Sequence, residues 1–398
     1  MSMGAYVPGL LPPAIRSRMV AGVNGLAMHV LEAGFESVGR PCVLLLHGFP
    51  ELAYSWRRVM PALADAGYHV LAPDQRGYGR TTGWSDDYDG DLRPFSMPVL
   101  ARDALALLHA FGHRSAAAVI GHDFGSSVAA WCALARPDVF RKVALMSAPF
   151  AGPPALPFGS VGSVGSVDSV DSLAVVDDGA ARDARVAAVL DDLAHLPRPR
   201  KHYQWYYATR ASNADMQHAP QGLHAFMRGY YHVKSADWQE NRPYRLAAWS
   251  AQDLAQLPTY YVMDAGRTMA ETVAPEMPSA AAIAACRWLP DAELAVYSAE
   301  YARTGFQGGL QWYRSRISGL CNGDMQLYAG ATVNVPAIFI AGKSDWGIYQ
   351  KPGDFEAMQT RSCTRFEGAH LIEGAGHWVQ QEQAAAVNAL LLDFIGKA

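Results

Sequence analysis

The stretch Gly121-His122-Asp123-Phe124-Gly125 places a carboxylate between an apolar run and a helix-like segment. A strand, a turn with glycine at both ends and a helix form the layout of a nucleophile elbow, which usually has serine at its centre. An aspartate between glycines is ordinarily a turn residue, but this strand-to-helix context favours a nucleophile. Here the central residue is Asp123, and a carboxylate is nucleophilic at neutral pH without a base to deprotonate it. The stretch therefore predicts that Asp123 acts as a nucleophile.

Two further groups follow predicted strands later in the chain. Asp345 comes after the apolar run 337–341, and His377 comes after a short strand-like run at 370–372. In open α/β sheets, reactive groups gather at the carboxyl ends of the strands. The order nucleophile, acid, histidine is one of the chain orders found for catalytic triads. The weaker alternatives to Asp345 and His377 are Asp324, Asp354 and His370.

The elements that must position these groups alternate between strands and helices. Asn24-Gly25 predicts a β-hairpin that starts the sheet, and continuous apolar runs suit strands buried on both faces. Strands are predicted at 42–46, 69–72, 116–120, 143–146, 337–341 and 370–372, and helices at 56–66, 97–111, 126–135, 354–361 and 382–394. This alternation predicts a doubly wound, mostly parallel α/β sheet.

The alternation stops near residue 150 and resumes near residue 326, and the composition between is helical and aromatic. We therefore expect an α/β core in two parts, 1–150 and 326–398, with a helical insertion of domain size over 151–325. Within it, residues 159–173 contain repeated Val-Gly-Ser and Val-Asp-Ser units. Such a small and polar stretch buries too little surface to order itself, so it is predicted to be a mobile loop.

Composition excludes several classes of protein. Half of the 398 residues are hydrophobic, 18% are charged and the net charge is −4, so the chain has material for a core but no basic field for nucleic acid. No apolar run approaches the roughly 18 residues of a membrane span, and residues 1–18 lack a signal-peptide run. The five cysteines form no Cys-x-x-Cys pair and are predicted to be reduced. We expect a cytoplasmic protein with neither nucleic-acid nor membrane partners.

Four motifs resemble those of the α/β-hydrolase fold and, within it, the soluble epoxide hydrolases. They are His47-Gly48-Phe49-Pro50-Glu51, Asp74-Gln75-Arg76-Gly77-Tyr78-Gly79, Gly121-His122-Asp123-Phe124-Gly125 and Gly376-His377-Trp378. The resemblance implies a helical cap over the core and attack of Asp123 on an epoxide carbon. It implies that His377, held by Asp345, activates the water that hydrolyses the ester. It also implies an oxyanion hole from the backbone N–H groups of Phe49 and Phe124, and neither a metal nor an organic cofactor.

The same resemblance implies two cap tyrosines that hold and protonate the epoxide oxygen. Residues 305–314, with the sequence GFQGGLQWYR, look like the family's cap motif, in which the tyrosine after tryptophan is the donor. This match selects Tyr313. The second donor is matched to Tyr206, with Tyr207 and Tyr203 as alternatives. A tyrosine hydroxyl suits the task because the epoxide oxygen stays on the product and must gain a proton.

The substrate class and two competing functions complete the hypothesis. Trp131 and Phe150, near the junction of core and insertion, are predicted walls of a pocket for a small-molecule apolar epoxide. A haloalkane-type dehalogenase uses the same aspartate chemistry, but those enzymes usually place tryptophan after the nucleophile, whereas Phe124 has no side-chain N–H. A non-catalytic, ligand-binding protein of this fold is the other alternative. A serine esterase is disfavoured because the elbow has no serine.

Overall fold

The computed structural model describes residues 6, 9–154 and 179–397. Its sheet starts with an antiparallel hairpin of β1 (Ile15–Val23) and β2 (Leu26–Ala33). Asn24 and Gly25 at its turn have φ values of 49° and 84°, which is the backbone conformation that a tight type I′ turn requires. The predicted hairpin is therefore confirmed.

The rest of the first core segment follows the predicted alternation. Its elements are β3 (Cys42–Leu46), α1 (Met60–Asp65), β4 (His69–Pro73), α2 (Met97–Ala110), β5 (Ala116–His122), α3 (Phe124–Ala135) and β6 (Val143–Met146). Only the helix expected at 56–66 is markedly shorter, because residues 53–56 form a separate 3₁₀ turn. Pro61 lies in the first turn of α1, where its missing N–H costs no helical hydrogen bond.

The described part of the insertion is mainly helical. Its elements are α4 (Gly179–Ala194), β7 (Arg200–His202), α5 (Tyr203–Tyr207), α6 (Ser212–Gln217), α7 (Leu223–Lys234), α8 (Ala251–Leu254), β8 (Val262–Asp264), α9 (Met269–Val273), α10 (Ala280–Ala285), α11 (Asp291–Thr304), α12 (Gln307–Ile317) and α13 (Asn322–Gln326). Strands β7 and β8 form a small antiparallel pair that sequence analysis did not predict. The loop predicted at 159–173 lies outside the described residues.

The second core segment returns to the same sheet. It contains β9 (Ala337–Gly342), α14 (Asp354–Ala357), β10 (Phe366–Ile372), α15 (Val379–Glu382) and α16 (Ala384–Gly396). The helix predicted at 354–361 is only one α-helical turn, and a π-helical turn continues it over residues 358–362. The predicted closing helix is divided into α15 and α16.

The eight core strands are ordered β1-β2-β4-β3-β5-β6-β9-β10. Strands β3 to β6, β9 and β10 are mutually parallel, and only β1 and β2 run antiparallel to their neighbours. Apolar side chains cover both faces of the sheet, in two separate hydrophobic clusters. This confirms the predicted doubly wound, mostly parallel sheet. It also brings the carboxyl ends of β3, β5 and β9 to one edge.

Candidate active site

Asp123 follows β5 in a strained turn. Its φ and ψ are 54° and −121°, a conformation that costs free energy for a residue with a side chain. A Cβ on Gly121 would lie 1.9 Å from the carbonyl oxygen of Gly125, and a Cβ on Gly125 would lie 2.2 Å from the carbonyl oxygen of Leu46. Only glycine therefore permits this contact between strand, turn and helix, which presents the Asp123 carboxylate at the sheet edge.

One carboxylate oxygen of Asp123 is held by the loop after β3. The backbone N–H of Phe49 donates to Asp123 Oδ1 at 3.0 Å. A Cβ on Gly48 would lie 2.4 Å from the Cβ of Asp123, so glycine is needed there as well. The N–H of Phe124 is at the first residue of α3 and has no carbonyl to bond within the helix. The two predicted oxyanion-hole residues thus flank Asp123, and their role stays a prediction.

His377 lies between the two carboxylates predicted to act with it. Its Nδ1 is 3.1 Å and 3.2 Å from the two carboxylate oxygens of Asp345, and Asp345 is itself held by the N–H of Gly347 at 2.7 Å. The opposite ring nitrogen, Nε2, is 3.2 Å from Asp123 Oδ2. That contact lacks hydrogen-bond alignment, so Nε2 has no hydrogen-bond partner among the described residues. A water molecule would satisfy this buried nitrogen.

The charges around the site shift the pKa values of Asp123 and His377 in opposite directions. Burial opposes the charge of Asp123, but His377, Lys234 and His122 outweigh it and hold the pKa of the Asp123 carboxyl well below its ordinary value. Burial likewise opposes a charged His377, but Asp345, with a smaller contribution from Asp123, raises the pKa of His377 to about 9. Asp123 is therefore ionised at neutral pH. Loss of its charge would lower the pKa of His377.

A buried hydrogen-bond chain fixes the backbone of His377. Its carbonyl oxygen is 2.6 Å from Nε2 of His122 and accepts from the hydroxyl of Ser147 at 3.0 Å. The Nδ1 of His122 is 2.6 Å from a carboxylate oxygen of Glu51. The N–H of His377 donates to the carbonyl oxygen of Lys234 at 2.8 Å. His122 thus orients the histidine through its backbone.

Tyr313 is placed against the predicted oxyanion hole. Its ring centroid lies 4.8 Å from that of Phe124 and 5.4 Å from that of Phe49, both nearly edge-on. Helix α12 can approach the core this closely because a Cβ on Gly308 would lie 2.0 Å from the carbonyl oxygen of Gly77. Burial, followed by the influence of Tyr203 and Asp123, raises the pKa of Tyr313. Its hydroxyl therefore stays protonated.

The structure favours a different second tyrosine. The hydroxyl of Tyr206 donates to Asp215 at 2.9 Å and accepts from the N–H of Met269 at 3.4 Å. Residues four apart share a face of a helix, so Tyr203 and Tyr207 of α5 face Tyr313, with centroid distances of 6.0 Å and 5.1 Å. Tyr206 lies on another face of this helix, so the geometry favours the alternatives Tyr203 and Tyr207 as the second donor.

Tyr203 is the better-placed alternative. Burial, followed by the charge of Asp123, raises the pKa of Tyr203. The hydroxyl of Tyr203 donates to Gln350 at 3.1 Å and accepts from Gln204 at 3.0 Å. Those two amides fix the position of the hydroxyl, and the helix phase turns the ring toward Tyr313.

The remaining predicted residues occupy defined positions. Trp131 is buried on α3 with its ring 5.4 Å from that of Tyr328, and Phe150 is buried after β6. Neither residue has a ring contact with the tyrosines around Asp123 in the described part of the chain, so their role as pocket walls stays a prediction. The three alternatives, Asp324 on α13, Asp354 on α14 and His370 within β10, lie on other elements than the turns that carry Asp345 and His377.

Sequence analysis missed Lys234, the last residue of α7. Its side chain is only 3% exposed, and its charge acts on both Asp123 and Asp345. A lysine at the end of a helix ordinarily interacts with the terminal carbonyl groups and with water. No spacing or motif distinguishes a buried lysine from that common case, so this cation was not predictable from the sequence.

The described residues form neither a metal site nor a membrane-spanning helix. In the ranges 9–154 and 179–397, no three side chains of His, Cys, Asp or Glu converge as a metal site would require. In the same ranges, no helix combines the length and the hydropathy needed to cross a lipid bilayer. All five cysteines have free thiols, and four of them are buried.

Comparison with known proteins places the chain in a family. A sequence profile of the α/β-hydrolase fold matches residues 41–178. Epoxide hydrolase A of Mycobacterium tuberculosis is 33% identical over 381 residues, which cover 94% of this chain and 95% of that protein. The fold and the matching profile define the class: this protein is an α/β hydrolase.

Solved structures agree with the sequence relatives. The crystal structure of Epoxide Hydrolase A from Mycobacterium thermoresistibile has a TM-score of 0.70 and 31% identity, covering 96% of this chain and 98% of that one. An epoxide hydrolase from an endophytic Streptomyces has a TM-score of 0.72 and 28% identity, covering 97% and 96%. The chain belongs to the epoxide hydrolase family.

Proposed function

We propose that this protein adds water to an oxirane and releases a vicinal diol, through a covalent ester on Asp123. The observation that carries the proposal is an ionised carboxylate in a nucleophile elbow, with a buried histidine–aspartate pair on one side and buried tyrosines on the other. Family membership supports the same reaction. The reaction needs neither a metal nor an organic cofactor, since each step below is assigned to a side chain.

In the first step, Oδ2 of Asp123 attacks one carbon of the oxirane. Oδ1 is already held by the N–H of Phe49, so Oδ2 is the oxygen that is free to form the new bond. The carbon–oxygen bond of the strained ring breaks, and its electron pair moves onto the epoxide oxygen. A carboxylate with a depressed pKa stays ionised throughout the neutral range, which keeps this step independent of a general base.

The departing epoxide oxygen takes a proton from a tyrosine. We propose Tyr313 and Tyr203 as this pair of donors. Tyr313 supports the assignment because no described residue accepts a hydrogen bond from its hydroxyl, which leaves the hydroxyl available to the substrate. Both phenols have raised pKa values through burial, so each carries its proton until negative charge develops on the oxygen beside it.

In the second step, water attacks Cγ of Asp123 and the diol leaves with the former Oδ2. His377 takes one proton from the water and gives it to the departing diol oxygen; the second water proton, released when the carboxylate of Asp123 forms again, restores the tyrosine. The unpaired Nε2 of His377 supports this assignment, and Asp345 holds the opposite nitrogen in the matching tautomer. The oxyanion that forms at Oδ1 is stabilised by the N–H groups of Phe49 and Phe124.

The division of the chain into core and insertion matches the roles proposed for the site residues. We infer that residues 151–325 act as a cap over the core segments 1–150 and 326–398. This inference is supported by the assignment itself, since the nucleophile and the histidine pair come from strand ends of the core and both proposed proton donors come from helices of the insertion. A complete site would then need residues from both the core and the insertion.

The deciding experiment follows the label of oxygen-18 water under single-turnover conditions. An epoxide such as styrene oxide should yield a covalent adduct on Asp123, and repeated turnover should place the label in the carboxylate of Asp123. Release of halide from haloalkanes without turnover of a varied epoxide panel would instead indicate a dehalogenase. Absence of both activities would indicate a non-catalytic protein.

Replacement of the proposed base separates the two steps. His377→Gln should form the ester and then retain it, because the variant lacks the base that activates water; turnover should fall about 10²–10⁴-fold. Mass spectrometry of the intact protein detects the adduct directly. If the variant accumulates no ester although the wild type turns over, the role given to His377 is wrong.

A further inference from the structure

Lys234 is a buried cation that the proposed reaction does not use. Its Nζ lies over the faces of four tyrosine rings, with distances to the centroids of 5.7 Å for Tyr203, 5.1 Å for Tyr230, 5.7 Å for Tyr260 and 4.7 Å for Tyr261. Ring faces carry negative electrostatic potential and stabilise a cation that has lost its water. The four rings therefore form a cage around the ammonium group.

The cage leaves the hydrogen-bonding capacity of Lys234 unused. An ammonium group carries three N–H donors, yet no oxygen of a described residue accepts a hydrogen bond from Nζ, and its polar contacts are those with the rings. Oδ1 of Asp123 accepts from Phe49, and the carboxylate of Asp345 is bonded to Gly347 and His377. The N–H donors of Nζ are therefore available to a ligand that brings its own acceptor.

Lys234 borders the proposed reaction centre. The ring of Tyr203 belongs both to the cage and to the group that faces Tyr313, and the charge of Lys234 acts on Asp123 and Asp345. The carbonyl oxygen of Lys234 accepts from the N–H of His377, and this contact is possible because a Cβ on Gly376 would lie 2.5 Å from that oxygen. A group that reaches Nζ therefore sits beside an oxirane at Asp123.

We propose that Lys234 is a specificity-determining residue that binds a carboxylate on a substituent of the epoxide substrate. This inference rests on the proposed function and narrows its substrate class to apolar epoxides that carry a carboxylate near the ring. One ammonium matches the single negative charge of a carboxylate, whereas a phosphate ester would bring nearly two charges beside two carboxylates. The tyrosine faces suit the apolar body of such an acid.

A carboxylate matches the charge of Lys234. It can accept a charge-assisted hydrogen bond from Nζ, which no oxygen of a described residue accepts, and it pairs the buried ammonium group directly.

The test compares 3-phenylglycidate with its neutral amide, which share the oxirane and the phenyl ring. The wild type should prefer the acid, measured as the ratio of the two kcat/KM values. Lys234→Met should lower that ratio about tenfold or more, since a hydrogen bond to a charged group is lost. Lys201→Met is the matched control: Lys201 also lies over a tyrosine ring, that of Tyr206, and its replacement should leave the ratio unchanged.

The pH dependence of the wild type gives a second measurement that needs no variant. Burial lowers the pKa of Lys234 to about 8, against the opposing effect of the carboxylates. The titratable groups that face Nζ or its backbone are Asp123, Asp345, His377, Tyr203, Tyr230, Tyr260 and Tyr261. The preference for the acid should fall as the pH rises through about 8, because a neutral amine no longer attracts a carboxylate; the ratio for Lys234→Met should stay level.

The outcomes are distinguishable. An unchanged ratio in Lys234→Met, or an equal fall in Lys201→Met, overturns the assignment while leaving the epoxide reaction intact. Turnover of neither the acid, the amide nor styrene oxide by the wild type overturns the proposed function and this inference with it. If the ratio falls in Lys234→Met but not in Lys201→Met, and falls at high pH in the wild type, the results support both the proposed function and the role of Lys234.

Discussion

The two halves of the candidate site are built in different ways. The core half, with Asp123, Asp345 and His377, is held by turns directly after strands, where backbone N–H groups and glycine contacts set each side chain. The half from the insertion, with its tyrosines and Lys234, is held by ring packing between helices. A turn fixes a side chain within a few residues, whereas helix packing fixes it only through distant partners.

This difference predicts two kinds of sensitivity. The core half supplies groups that exchange bonds and protons with the substrate, so changes there should stop a step. The half from the insertion supplies proton donation and recognition, so changes there should alter the rate of one step or the choice of substrate. The predictions below test that division, from the largest expected effect to the smallest.

Removal of the nucleophile should have the largest effect. Asp123→Ala should lower turnover of any epoxide by about 10⁴-fold or more, as for other covalent nucleophiles. No adduct should appear in single-turnover mass spectrometry, because no carboxylate remains to form it. The control is Asp324→Ala at the exposed start of α13, which should retain wild-type activity. Substantial turnover by Asp123→Ala would contradict the role of Asp123 as the nucleophile and, with it, the proposed division between the two halves.

The two steps should differ in their dependence on pH. Ester formation should be level from about pH 5 to 8, because the depressed pKa of Asp123 keeps that group ionised. Ester hydrolysis should rise with pH, because only neutral His377 accepts a proton. Its apparent pKa should lie below the value of about 9 for the free enzyme, since the ester has removed the negative charge of Asp123. Stopped-flow measurement of the separate rate constants provides the check; a hydrolysis rate that falls with pH would contradict it.

The paired tyrosines of α5 test the half from the insertion. Tyr203→Phe should slow ester formation about 10²-fold, the lower range for loss of a general acid, while hydrolysis of the ester is less affected. Tyr206→Phe removes a hydroxyl from the same short helix but from its other face, and should leave the rate of ester formation unchanged. If Tyr206→Phe slowed ester formation and Tyr203→Phe did not, the face of α5 that carries Tyr206 would be the one that contacts the substrate.

The core half of the site is easier to predict from the sequence than the half from the insertion. The strand ends, the elbow and the positions of Asp123, Asp345 and His377 could be placed from runs of apolar residues and the glycines beside them. Those signals are local, and only a few conformations satisfy them. The sequence therefore predicted both the sheet and the half of the site that its turns carry.

The insertion was less predictable for a physical reason. In a run as aromatic as 203–207, composition does not show which ring faces inward, because that depends on the helices packed against it. Composition therefore does not separate Tyr206 from its alternatives Tyr203 and Tyr207. Tyr313 follows Trp312 in the motif at 305–314, which selects it without knowledge of the packing. Lys234 has no such motif, and only the three-dimensional arrangement shows its cage.

The seam between the two halves gives the smallest and most specific prediction. Glu382 of α15 accepts backbone N–H groups from both sides: Gly376 and Trp378 beside the histidine, at 2.9 Å each, and Ala236 just after α7, at 2.8 Å. This single carboxylate therefore ties the turn that carries His377 to the end of the helix that carries Lys234.

Glu382→Ala should lower the free energy of unfolding by about 1–3 kcal/mol, because three backbone donors lose their acceptor. Urea denaturation measures this, and Glu373→Ala, which removes an exposed carboxylate paired with Lys343, should change it by less than about 0.5 kcal/mol. In the active fraction, ester hydrolysis should slow more than ester formation, because the loosened turn holds His377 and not Asp123. An equal loss in both steps would mean that Glu382 stabilises the whole domain rather than the join between core and insertion.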